Sequence, residues 1–165
     1  MKNKSAVAIA AIFVLIAGGA YFFGQNGGKI AEREKKIEIG GFGAGQKAVV
    51  YKSPACGCCE GYAEELEKRG FEVEVVTVED MDAVKGKYGI APDKQSCHTI
   101  AMGKYFIEGH VPMEAVEKLL KEKPDIDGIG LPRMPSGTPG MAGPKRAPYE
   151  VYMLKDGAFG KFLTI

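Results

Sequence analysis

The rhythm of apolar and polar positions changes several times along this chain, and each change predicts an element. Residues 47–52, Lys-Ala-Val-Val-Tyr-Lys, place an apolar centre between two lysines and read as a short strand. Ser53, Pro54 and Ala55 end it. Over 58–69, Tyr62, Ala63 and Leu66 recur at helical spacing, and Gly70 stops the pattern. Residues 71–78 alternate at first and then run apolar, which predicts a second strand. A short helix follows over 80–88, with Asp80 near its cap and Gly89 after it. Residues 98–102 and 105–108 are strands around Gly103-Lys104, the length of a tight hairpin loop. Pro112 opens a helix that runs to 123, because a first-turn proline leaves no intrahelical hydrogen bond unmade.

The predicted order is β-α-β-α-β-β-α, the order of a thioredoxin-like domain of the α/β class. Two additions follow. Residues 124–148 carry six of the nine prolines and are expected to form an ordered but irregular loop rich in Pro, Gly and Met. Residues 149–154 and 159–165 flank Asp156-Gly157, a pair that favours the tight turn of a β-hairpin.

The N-terminus has a different pattern. Ala6 to Phe23 form an uncharged stretch of 18 residues behind Lys2 and Lys4. That is the lower edge of membrane-spanning length, and longer than the core of most signal peptides. Residues 1–23 are therefore expected to be a membrane anchor, with a cleaved signal segment as the alternative. Either reading puts the rest of the chain outside the cytoplasm. Residues 24–45, broken by glycines at both ends, are expected to be a tether, and the thioredoxin-like domain to occupy 46–165.

Composition narrows the function. Twenty-two basic residues face twenty-one acidic ones, so a net charge of +1 gives no electrostatic case for a nucleic-acid partner. Four cysteines are too few for a disulfide-dense scaffold, but three of them fall in Cys56-Gly57-Cys58-Cys59. Cys56 and Cys59 make a Cys-x-x-Cys pair where a first strand gives way to a helix. The amides and partial positive charge at a helix start favour thiolate over thiol. Cys58 is not needed for dithiol exchange. Three thiolates so close together suit a soft metal, as Cu(I), Zn(II) or an iron–sulfur cluster. Cys97 precedes the third predicted strand, a turn that faces the helix start in a thioredoxin-like domain, so four thiols can meet.

The plain alternative for the cluster is a structural disulfide with spare thiols, and for Cys97 a small buried apolar residue. His98 follows Cys97 directly, and in an extended chain its ring would point away from that sulfur. It is therefore expected beside the ligands or on the opposite face. His110, Met134 and Met141 are further candidate ligands, the two methionines because thioethers suit Cu(I). The stiff loop that carries them is also placed to cover the thiols and exclude water.

Tyr51 to Cys59, Ser96-Cys97-His98-Thr99, Glu108-Gly109-His110-Val111-Pro112 and Met134-Pro135 to Pro139-Gly140-Met141 occur here in that order. Together they resemble the CopG-type copper-resistance family, a metal-binding domain long of unknown function. The resemblance covers residues 47–165. It implies an exported thioredoxin-like domain that binds copper through Cys56, Cys58, Cys59 and Cys97. One departure is Tyr62, where the family often has Trp.

Three functions follow as expectations. The first is an exported protein that holds Cu(I), with several ions per chain, and serves copper tolerance by binding copper or cycling its redox state. Its partners would be copper ions, a copper donor or acceptor protein, and the membrane through the N-terminal segment. The second is a thiol-disulfide oxidoreductase with Cys56 as nucleophile and Cys59 as resolving thiol. The third is a structural zinc module on the four cysteines. Whether the chain is an enzyme stays open at this point.

Overall fold

The computed structural model describes residues 41–165. The expected anchor at 1–23 and the tether before residue 41 lie outside the described residues. The elements in chain order are β1 (Lys47–Lys52), α1 (Gly57–Glu67), β2 (Glu72–Thr77), α2 (Met81–Lys87), a 3-10 turn (Pro92–Lys94), β3 (His98–Met102), β4 (Tyr105–Glu108), α3 (Met113–Glu122), β5 (Gly128–Gly130), β6 (Glu150–Lys155) and β7 (Ala158–Thr164). Seven strands form one mixed sheet in the order β2-β1-β3-β4-β5-β6-β7. β1 runs parallel to β2 and antiparallel to β3. β3 and β4 form the expected hairpin, with Gly103 at φ 60° in its turn.

The core lies against the middle of this sheet. Val50, Ile100, Ile107 and Ile129, one from each of four neighbouring strands, are fully buried. Tyr62 and Leu66 of α1 and Val116 and Leu119 of α3 join them in the same cluster. The spacing of these helix residues is what puts one apolar stripe on the sheet while the charged residues face out. Asp80 caps α2 by accepting a hydrogen bond from the Ala83 amide at 2.9 Å. Phe42 packs edge-on against Phe71 at 5.5 Å, and the Gly43 amide donates to the Arg69 carbonyl at 3.0 Å.

The loop expected over 124–148 is not wholly irregular. It contains β5, which pairs parallel with β4 and antiparallel with β6 and so joins the C-terminal hairpin to the rest of the sheet. Gly128 and Gly130 permit this: a Cβ at the first would strike the Phe106 backbone and ring, and at the second the Tyr152 ring. The C-terminal hairpin forms as expected. Asp156 and Gly157 both take positive φ, 50° and 78°, which suits the tight turn that an Asp-Gly pair favours.

Candidate metal centre

Cys56 occupies the N-cap position of α1, and Cys58 and Cys59 lie in its first turn. Cys56 and Cys59 are joined as a disulfide, with Cα atoms 5.5 Å apart. Cys58 is free, half-buried, and its sulfur is 3.6 Å from that of Cys56. Cys59 is fully buried. The helix start gives this half of the centre amides without intrahelical partners. A cation adds to it: Lys52, at the end of β1, is buried, and its Nζ lies 3.4 Å from the Cys56 carbonyl and 3.1 Å from Glu60.

Cys97 reaches the same place from the other side of the fold. The sulfurs of Cys56, Cys58, Cys59 and Cys97 all lie within 4.8 Å of one another. The turn carrying Cys97 is fixed by a buried ionic network. Glu108 on β4 is fully buried and pairs with Lys85 of α2 at 2.5 Å. The same carboxylate accepts the Ser96 amide at 2.6 Å and the Thr99 hydroxyl at 2.5 Å. Lys85 also donates to Thr99 Oγ1 at 3.2 Å. The network thus holds the residue before Cys97 and the residue two after it.

Both histidines converge on Cys97. His98 Nδ1 is 3.3 Å from the Cys97 sulfur and His110 Nε2 is 3.1 Å from it. This corrects the expectation that the His98 ring points away. Cys97 sits in a bend just before β3 begins at His98, so strand alternation does not yet apply between the two. The Pro139 carbonyl, which can only accept, lies 2.7 Å from His110 Nδ1. Nδ1 therefore carries the proton of the neutral ring, and the Nε2 lone pair faces the sulfur. His98 Nε2 is buried with no hydrogen-bond partner among the described residues.

Burial sets the protonation of this half. The His98 pKa is pushed down to about 3 by burial, then by His110 and Lys85. Burial also lowers that of His110, against the opposing pull of the Pro139 carbonyl. Both rings are neutral at neutral pH. Burial pushes the Cys97 thiol well above the usual thiol range, and the nearby Cys58 sulfur adds to this. A metal taken up at Cys97 must displace that proton.

Tyr62 closes the back of the centre. Its ring lies 4.9 Å from that of His98 and 5.6 Å from that of His110, and its hydroxyl donates to the Val111 carbonyl at 2.7 Å. The proline-rich loop reaches the centre through Pro139 and Gly140. A Cβ at Gly140 would stand 2.7 Å from the Tyr62 amide nitrogen and 2.9 Å from the Cys58 carbonyl oxygen. Only a residue without a side chain lets the loop lie this close to α1. Met134 is 51% exposed and Met141 half-buried.

The donor set fits a soft metal ion. Four sulfurs lie within bridging reach of one another, and two imidazoles stand against one of them. Once the Cys56–Cys59 bond is reduced, all four sulfurs can serve. The sequence pointed to the thiols, His98 and His110. It gave no warning of Lys85, Glu108 or Lys52, although a lone Glu ending the run Tyr105-Phe106-Ile107 was a signal to follow.

Sheet, helix-borne thiols and imidazoles define a mixed α/β protein with a cysteine cluster able to bind metal. The family model described as a protein of unknown function, DUF411, matches residues 94–141. Two solved structures of copper resistance protein CopG, form 1 and form 2, are similar. They are 36% and 35% identical to this chain, with TM-scores of 0.66 and 0.67. The matches cover 72% and 73% of this chain, and 96% and 98% of those chains. No curated protein sequence matches. The chain belongs to the CopG copper-resistance family.

Proposed function

We propose that this chain is an exported, thioredoxin-like copper-binding protein. In its reduced state Cys56, Cys58, Cys59 and Cys97 hold Cu(I), and it serves copper tolerance by binding copper or cycling its redox state. The convergence of four sulfurs from two distant segments within 4.8 Å carries the reading. Copper resistance in the name of both similar structures supports the choice of metal. Thiolate donors favour Cu(I), imidazoles suit copper among other metals, and sulfurs able to bridge allow more than one ion. The metal would supply electron exchange; the chain's own residues supply the ligands, the covering loop and the dry back wall at Tyr62. The expected outward location rests on the N-terminal segment.

An anaerobic titration of the reduced full chain with Cu(I) against a chromogenic chelator tests this. More than one tightly held Cu(I) per chain is expected, with part of that capacity lost in Cys97→Ser and in Cys58→Ser. Unchanged stoichiometry and affinity in both variants would show that the four thiols do not form a shared site.

A second reading has its own observation. Cys56 and Cys59 are already paired as a disulfide at a helix start, beside the buried Lys52 cation. That arrangement suits thiol-disulfide exchange with Cys56 as the attacking thiol after reduction. Insulin reduction that survives Cys58→Ala and Cys97→Ala would favour it over copper binding.

A further inference from the structure

A second concave surface lies away from the thiols. A cavity of about 920 Å³ opens between the Pro92–Lys94 turn, the start of the proline-rich loop, residues 146–149 and the β6–β7 hairpin. Its lining includes Lys94, Arg133, Arg146 and Lys161, against only two carboxylates, Asp93 and Glu150. Lys94 already meets Asp93 at 3.0 Å. Arg133, Arg146 and Lys161 take no part in the ion pairs among the described residues. The inner wall is aromatic: the rings of Tyr152 and Phe159 meet edge-on at 5.4 Å. The Tyr152 hydroxyl is used by the Lys94 carbonyl at 3.1 Å and the Tyr149 hydroxyl by the Ser136 carbonyl at 2.7 Å. Tyr152 is buried and backs the groove, Phe159 is half-buried with the Lys94 ammonium 5.8 Å from its ring centroid, and the unmatched polar chemistry of the groove is cationic.

We propose that this groove docks an acidic, extended peptide segment of a partner protein, with an apolar side chain laid against the half-buried Phe159 ring. Two features favour a peptide over a small organic acid. Three cations, Arg133, Arg146 and Lys161, have no ion-pair partner among the described residues, so several carboxylates are needed to meet them. Arg133, Arg146 and Lys161 are also exposed, which makes a wide charged rim around an apolar floor. The groove is continuous with the metal centre's support. The Arg133 amide donates to the Gln95 carbonyl at 3.1 Å, and the Ser96 hydroxyl donates to the Arg133 carbonyl. A partner seated here bears on the segment that carries Cys97. The proposal goes beyond copper binding and does not depend on it.

The test uses the metal-free full chain and fluorescein-labelled Asp-Glu-Tyr-Asp-Leu-Glu-Asp, read by anisotropy. Saturable binding that weakens with added salt is expected. The double variant Arg133→Glu/Arg146→Glu should weaken it about tenfold or more, whereas Lys118→Glu/Lys121→Glu on α3 should leave it unchanged. Equal binding of the Asn/Gln counterpart of the peptide would overturn the proposal, as would equal weakening by the α3 variant. Displacement of the peptide by citrate at comparable concentration would overturn it in favour of a small-anion site. Because no copper is present, failure of the copper titration leaves this result standing, and the reverse.

Discussion

The two halves of the cysteine cluster are held by different physics. Cys56, Cys58 and Cys59 are placed by neighbours in sequence, at the first turn of one helix. Their mutual positions follow from the start of that one helix and from the Cys56–Cys59 bond. Cys97 lies in a bend with no regular structure of its own, and is positioned by groups from α2, β3 and β4. The first half is secured locally and the second by a buried ion pair between distant segments. The second half is consequently the one that distant substitutions and pH can disturb.

The strongest way to break the contrast is Glu108→Ala. It leaves the Lys85 ammonium buried and unpaired and should cost about 3–5 kcal/mol in urea denaturation. If the protein still folds, the Cys97 contribution to Cu(I) binding should disappear while the α1 thiols keep theirs. A smaller effect is expected from Gly140→Ala, which sets a Cβ against the backbone of α1 at a φ of 76°. About 2 kcal/mol of destabilisation should result, with faster alkylation of free Cys58.

Acid should act on the Cys97 half. An unfolded histidine takes up its proton near pH 6.5, whereas His98 in the fold does so only near pH 3. Between these values the unfolded chain binds more protons, so stability is full above pH 6.5 and falls as pH drops toward 3. The slope should approach about 1.4 kcal/mol per pH unit in urea denaturation of the metal-free chain, and flatten in His98→Gln. Tyr62→Phe should have the mildest effect. Losing the bond to the Val111 carbonyl should cost about 1 kcal/mol by thermal denaturation and leave the ring packing in place.

The same contrast explains what could be read from the sequence. Elements set by local pattern lie within about two residues of their expected limits: β1, α1, the β3–β4 hairpin and the Asp156-Gly157 turn. β5 did not register, because Gly128, Ile129 and Gly130 carry no strand pattern and become a strand only through β4 and β6. The thiols were visible because three are adjacent in sequence, and Cys97 because strand order brings it back. The His98 ring turns toward the Cys97 sulfur because Cys97 precedes β3, and side-chain alternation starts only with the strand. Of the Lys85–Glu108 pair the sequence marks one member, the lone Glu ending an apolar run, but nothing in it points to a lysine twenty-three positions away.

β5 has a further consequence, for how the protein opens. It is three residues long, yet among the described residues it alone links β4 to the C-terminal hairpin in the sheet. The proline-rich loop that reaches His110 and α1 leaves from its end, and the Leu131 amide is bonded to the Glu108 carbonyl at 3.0 Å. Opening at β5 therefore frees the hairpin and the cover of the thiols together. Native-state hydrogen exchange should find the amides of β6, β7 and Leu131 sharing one opening free energy, as a single cooperative unit.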